Sequence, residues 1–259
     1  VSTFPQAGNY GVHNDVWESS QLRIEGFVCL EMQDSLRDKT WLQRLTDFDI
    51  AVMSGIDTRS LVLTLREKGT PWGAMVFATS KEAAVKEATA LIDAKRNHDL
   101  DWAFAVSTKK PTTVLGSGRD GRVALLDFGC KANIVRELQR RVKEICIFPS
   151  QATPQMIREF DPDGILLSNG PGNPEDVQVA TQTVSELLGW KPMFGICMGH
   201  QIMARALGGR TYRLKFGHRG SNHPVKDQLL NQIYMTSQNH GYAVVEQSLP
   251  KDVSVTHIN

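Results

Sequence analysis

The chain reads as an α/β protein in two parts: a mixed α/β N-terminal domain, then a C-terminal domain built on a mostly parallel sheet with covering helices. Three observations predict this. From Val123 onward, short buried apolar runs alternate with amphipathic stretches, the pattern of strands joined by helical crossovers. Between Ser107 and Gly121 the text STKKPTTVLGSGRDG is rich in Ser, Thr, Lys, Gly and Pro and has little apolar periodicity, which marks a domain boundary. A length of 259 residues with a 41% hydrophobic share suits two modest cores. Residues 1–110 are accordingly assigned to the first domain, 111–121 to a linker and 122–259 to the second.

In the first domain, Phe27 to Leu30 and Ala74 to Ala78 read as short strands. Asp57 is placed to cap a helix carrying Leu61 and Leu65, and Thr79 with Glu82 makes a capping box before an alanine-rich helix. In the second domain, Val123 to Phe128 is a buried strand. A helix with Ile134, Val135 and Leu138 on one face follows, then a second strand from Glu144 to Phe148. Pro154 to Phe160 reads as a helix, Gly164 to Ser168 as a strand, Glu175 to Leu188 as a helix and Pro192 to Ile196 as a strand. Right-handed crossovers would cover both faces of such a sheet and leave ligands at the carboxyl ends of its strands.

Composition removes several function classes. Lysine plus arginine total 29 against 28 aspartate plus glutamate, so no net field is available to hold a nucleic acid or an anionic membrane. The longest apolar runs fall far short of the roughly 20 residues a spanning helix needs, and no signal peptide is visible from Val1 onward. Cys29, Cys130, Cys146 and Cys197 are widely spaced, without a CxxC or Cys/His zinc pattern, so no metal is expected and a reducing cytoplasm suits them. Cys29 and Cys146, each inside an apolar run, read as small buried hydrophobes. Cys130 follows Gly129 in a turn and is compatible with either role.

The segment that carries chemistry is Phe194-Gly195-Ile196-Cys197-Met198-Gly199-His200-Gln201, where a buried strand meets a helix through a turn flanked by glycines. It has the form of a nucleophile elbow with sulfur in place of oxygen. The helix N-terminus is expected to lower the pKa of the Cys197 thiol and to donate to an oxyanion. The loop Ser168-Asn169-Gly170-Pro171-Gly172-Asn173-Pro174 leaves the same edge of the sheet and should open near Cys197, its glycines offering amides to a substrate carbonyl. A third element is Gln238-Asn239-His240-Gly241-Tyr242.

SNGPGNP, FGICMGHQ and TSQNHGYAV, in this order, closely resemble a glutamine amidotransferase domain of the cysteine-triad type. LKFGHRGSNHPV resembles more narrowly the small subunit of carbamoyl-phosphate synthetase, and FPQAGNYGV, GFV at Gly26 and SGIDTRSL at Ser54 resemble that subunit's N-terminal domain. The resemblance spans nearly the whole chain. It implies a glutaminase in which Cys197 attacks the side-chain amide of glutamine and forms a glutamyl thioester, with Gly170 and Met198 supplying oxyanion-hole amides. By the same resemblance, Gly172, Gln201, Asn239, Gly241 and Tyr242 hold glutamine. No cofactor is implied in this subunit; ATP and magnesium belong to a large synthetase subunit, which takes the ammonia to make carbamoyl phosphate for arginine and pyrimidine synthesis.

The family's catalytic histidine and glutamate lie in a His-Pro-Glu segment expected beyond Asn259, and a glutamine-contacting serine is expected before Val1. On this reading the sequence lacks both ends of the subunit. His200 and His240 match positions that the family does not use as its base. His13 and His98 read as surface residues, and His218 and His223 as structural or interface residues. Asn173 stands where aspartate is usual, Met198 where leucine is usual and Ser221 where glycine is common; the Met198 change preserves volume. A glutaminase of GMP or anthranilate synthesis has the same fold, but the IDTRSL and HRGSNHPV segments argue against it. An assembly or regulatory subunit without catalysis is the other alternative, against which stand Cys197, Gln201 and Asn239.

Overall fold

The structure, a computed structural model, describes residues 1–96 and 101–259 and comprises two compact units, Val1–Asp99 and Leu100–Asn259. The surface position expected for His98 lies outside the described residues.

In the first unit, β1 (Gln6–Ala7) pairs in parallel with β3 (Glu31–Met32), and β2 (Gly26–Val28) with β4 (Ala51–Met53). Helix α1 (Trp41–Asp47) opens on a full capping box, Thr40 and Gln43 exchanging side-chain and backbone bonds of 3.1 Å. Asp57 caps α2 (Thr58–Lys68) as expected, its carboxylate accepting the Ser60 amide at 2.9 Å. Helix α3 (Lys81–Arg96) is capped by Ser80, not Thr79: the Ser80 hydroxyl accepts the Ala83 amide at 3.2 Å. That puts Glu82 at the second helical position, one short of where a capping box needs it. Ala74 to Ala78 forms no strand. Met75 fills the space beside Gly26, but the backbone pairs with neither small sheet, and Phe77 is 94% exposed. A run that is apolar on both faces has no alternation to fix a register.

The second unit begins with α4 (Trp102–Val106), capped by Asp101. Its sheet takes the order β5-β7-β6-β8-β9, formed by β5 (Thr112–Leu115), β6 (Arg122–Asp127), β7 (Glu144–Pro149), β8 (Gly164–Leu167) and β9 (Met193–Gly195). All pairs are parallel except β5 with β7. The stretch 111–121 read as a linker therefore contains β5. A four-residue edge strand is too short to show periodicity against its Ser/Thr/Gly surroundings.

Alternation along β6 sorts the two faces. Ala124, Leu126 and Phe128 enter the larger core with Ile157 of α6 (Pro154–Phe160), Val184 and Leu187 of α7 (Gln178–Leu187) and Ile202 of α8 (Met198–Ala206). Leu125 faces the other way, with Ile134, Val135 and Leu138 of α5 (Ala132–Gln139). Helix α7 starts at Gln178 rather than Glu175 because Asn173 first holds a turn, its side chain accepting the Glu175 amide and its carbonyl the Asp176 amide. Truncating Leu126, which is fully buried, to alanine is expected to cost about 2–5 kcal/mol in chemical denaturation; a loss below about 1 kcal/mol would contradict this core.

Beyond the sheet runs a long antiparallel hairpin of β10 (Arg210–Asp227) and β11 (Gln232–Val245), edged by β12 (His257–Ile258). Its register shifts between Arg213 and His218 and again between Gly220 and His223. Such bulges break the period-two pattern, and the sequence reading contains no strand there. The Asp227 carboxylate closes the turn by accepting the Leu229 and Leu230 amides at 2.8 and 3.0 Å.

Candidate functional site

The turn between β9 and α8 holds Cys197 at φ 53° and ψ −103°, outside the left-handed well that non-glycine residues tolerate. Such a conformation costs about 1–3 kcal/mol and persists only where the surroundings enforce it. Here they do. The Ile196 amide is held by Leu167 O at 2.9 Å, and the Gly199 amide is shared between Ile196 O and Ser168 O at 3.0 Å each. A Cβ on Gly195 would stand 2.5 Å from the His200 nitrogen, and one on Gly199 would press into the Leu167 carbonyl and lie 2.5 Å from Leu167 Cβ. Both glycines expected from sequence are required by close approach of backbones.

The Gly199 bond to Ser168 O also brings the loop after β8 against the elbow, as the shared sheet edge implied. Gly170 packs on Phe128, where a Cβ would lie 2.7 Å from Phe128 Cβ. Among the described residues, neither the Gly170 nor the Met198 amide donates to a backbone carbonyl. Gly172 adopts φ 95° farther along the loop, beside Trp102.

Strand β11 closes the site from the other side. Cys197 Sγ lies 4.0 Å from Asn239 O, and Gln201 Nε2 donates to Tyr242 O at 2.7 Å. Gln201 is 6% exposed, so its amide nitrogen joins α8 to β11 rather than standing free for a ligand. Asn239 is exposed and Gly241 lies beside the Arg219 guanidinium. The structure thus gathers Cys197, Met198, Gln201, Asn239 and Tyr242, with the Gly170 loop bonded alongside.

The expected lowering of the Cys197 pKa is overturned. Burial pushes the thiol up, and the Met198 amide and the Lys131 charge oppose it without prevailing. A raised pKa leaves little thiolate near neutrality, so alkylation by iodoacetamide should accelerate roughly tenfold per pH unit until the pKa is passed. A rate plateau below about pH 8 would show that amide and lysine outweigh burial. Cys29 and Cys146 are buried, with thiols likewise pushed up by burial, while Cys130 is half-buried; none of the four forms a disulfide.

No histidine nitrogen reaches Cys197 Sγ among the described residues. His218 meets His240 edge-on and His223 at a tilt, at centroid distances of 4.9 and 5.2 Å, and Asn259 Nδ2 donates to its Nδ1 at 2.9 Å. Burial, then the charges of His240 and His223, hold His218 below the ordinary imidazole range. His240 donates from Nδ1 to Tyr242 O at 2.8 Å, which stiffens the strand that carries Asn239. His200 is also depressed, by desolvation and then by His240, although it presents much of its surface to solvent. His13 is partly exposed, 3.6 Å from Asp15. Among the described residues no group of three or more His, Cys, Asp or Glu side chains is arranged for a metal, and no helix is long and apolar enough to cross a membrane.

Sequence reasoning missed Lys131, and it included Ser168 in the loop near Cys197 without giving it a role. Both follow the carboxyl ends of strands, β6 and β8, that flank the site. The rule that ligands gather at such ends was the signal available for them.

The chain matches the family profile Glutamine amidotransferase class-I over residues 124–259 and the profile Carbamoyl-phosphate synthase small chain, CPSase domain, over residues 1–75. The carbamoyl phosphate synthase small chain of Caldanaerobacter subterraneus is 41% identical over 264 residues, an alignment covering 100% of this chain and 70% of the relative. That of Symbiobacterium thermophilum is 42% identical over 271 residues, covering 100% and 73%. That of Methanocaldococcus jannaschii is 39% identical over 263 residues, again covering 100% and 73%. Among solved structures, a glutamine amidotransferase from Thermotoga maritima aligns at TM-score 0.39 and 19% identity over 52% of this chain and 66% of its own. A glutamine amidotransferase from Methylobacillus flagellatus aligns at TM-score 0.38 and 15% identity over 54% and 61%.

Proposed function

The chain belongs to the carbamoyl phosphate synthase small-chain family, the glutamine amidotransferase component of that enzyme, and from this we propose that Cys197 is the nucleophile that releases ammonia from glutamine. The observation that carries the reading is Cys197 held in a strained turn at the start of α8, with the Met198 and Gly170 amides unbonded to any backbone carbonyl nearby. The thiolate adds to the side-chain carbonyl carbon of glutamine, and the carbonyl oxygen takes the negative charge. Those two amides are the donors proposed for it, neither being taken by a backbone carbonyl. Collapse of the adduct expels the nitrogen as ammonia, with a proton gained on leaving, and leaves a glutamyl thioester. Water then cleaves the thioester to glutamate and restores the thiol. Proton transfer is assigned to none of the described histidines.

Gly172, Asn239, Gly241 and Tyr242 are proposed to hold the amino-acid part of glutamine, and Gln201 to hold β11 in place for them as well as to offer its oxygen. The partner is a large synthetase subunit that binds ATP and magnesium and consumes the ammonia with bicarbonate. This subunit works in the cytoplasm without a cofactor of its own and engages neither nucleic acid nor membrane. Labelling with a glutamine-mimicking chloroketone and mapping the adduct tests the assignment. Modification is expected at Cys197; an adduct preferring Cys130 or Cys146 would overturn it.

A further inference from the structure

We propose that Ser168 is a positioning residue for the oxyanion hole, its hydroxyl aiming the Gly170 amide at the reacting carbonyl; this rests on the reading of Cys197 as nucleophile. Ser168 is fully buried at the carboxyl end of β8 and makes four hydrogen bonds. Its amide donates to Leu126 O at 3.1 Å, and its carbonyl accepts the Gly199 amide at 3.0 Å. Its hydroxyl accepts the Phe128 amide at 2.9 Å and donates to Asn169 O at 2.8 Å. One residue therefore joins the end of β6, the end of β8 and the first turn of α8.

The bond to Asn169 O is the one that matters for chemistry. The carbonyl of Asn169 and the N–H of Gly170 belong to one planar trans peptide, in which they point in opposite directions. Pinning the carbonyl toward Ser168 Oγ therefore turns the Gly170 N–H away from the strand end. Because the hydroxyl proton is committed to that carbonyl, the oxygen is left to accept from Phe128, which fixes the direction of the whole chain of bonds. The Asn169 side chain holds the same loop from its far side, Nδ2 donating to Gly129 O and Oδ1 accepting the Lys131 amide, both at 3.1 Å. With its carbonyl bonded to Ser168 and the preceding Cα tethered through the Asn169 side chain, the Asn169–Gly170 peptide is restrained, and an oxyanion donor works only when it is already aimed.

A misaimed donor weakens the transition state more than the bound substrate, so the loss should appear in kcat. In the full-length protein joined to its synthetase partner, Ser168→Ala is expected to lower kcat for glutamine hydrolysis about 10–100-fold with KM within about twofold. Alkylation of Cys197 by iodoacetamide, which forms no oxyanion, should keep its rate. Ser107→Ala is the control for mere destabilisation: Ser107 is also buried, and its hydroxyl accepts the Ser150 amide at 2.9 Å, outside the site. That variant should lose melting temperature but keep kcat. If Ser168→Ala does not fold, Asn169→Ala removes the less buried clamp and should lower kcat in the same way. Wild-type kcat in whichever of these two folds, a rise in KM alone, or an equal kcat loss in Ser107→Ala would overturn the proposal. Cys197→Ser distinguishes the underlying reading: retained hydrolysis there refutes the nucleophile, whereas retained kcat in Ser168→Ala alone refutes only the positioning role.

Discussion

A complex carrying Cys197→Ser is expected to lose carbamoyl phosphate synthesis from glutamine by on the order of 10⁴-fold or more while retaining it from ammonium. The substitution removes the sulfur proposed as nucleophile and nearly preserves its shape. The elbow glycines, the Gln201 bond to Tyr242 O and the loop bonded at Ser168 O are untouched, so docking and glutamine binding should survive. Chemistry on the partner does not involve Cys197, and free ammonium supplies the nitrogen directly. A protein that only assembles or regulates its partner would make the substitution affect both nitrogen sources equally or neither. Product formation by the reconstituted complex, measured with each source in turn, decides between them. Undiminished synthesis from glutamine would sink the nucleophile.

Gly199→Ala should damage both stability and catalysis. Its Cβ would press into the Leu167 carbonyl and lie 2.5 Å from Leu167 Cβ, both fixed parts of a fully buried strand end. Overpacking of rigid surroundings typically costs about 1–3 kcal/mol, and this contact belongs at or above the top of that range because backbone, not a side-chain tip, must move. The strained Cys197 conformation depends on the same contact, so hydrolysis should fall together with stability. Gly164→Ala in the same strand is the comparison: a Cβ there meets only Pro192 O at an ordinary 3.6 Å. Chemical denaturation of the two variants should separate them by about 2 kcal/mol or more. Equal stability would mean that the elbow is not packed as described.

The parallel sheet was legible because buried strands and amphipathic helices carry different periods, and Pro154 to Phe160 has the same bounds in sequence and structure. The elbow was legible because close backbone approach demands glycine at Gly195 and Gly199. The hairpin was not, since two bulges scramble the alternation that announces a strand. Strand β5 hid in polar, flexible composition. The pKa of Cys197 was misjudged in direction because a helix end is visible in sequence, whereas the burial that outweighs it comes from distant packing. The double duty of Ser168 was likewise invisible, because its partners Phe128 and Gly199 lie on other segments. What sequence conveys well is local geometry; what it conceals is which segments meet.

The separation of Gln201 from Tyr242 by 41 residues, closed by one 2.7 Å bond, has a consequence for how such a protein can change. On the proposed reading, the bond-breaking thiol sits in a loop of the sheet, whereas Asn239, Gly241 and Tyr242, three of the residues proposed to hold the substrate, ride on the hairpin. Mutations accumulating on β10 and β11 can therefore alter which amide is accepted while inheriting the elbow intact. A library confined to the hairpin, with Tyr242 O left in reach of Gln201, is the place to search for variants that hydrolyse a different carboxamide.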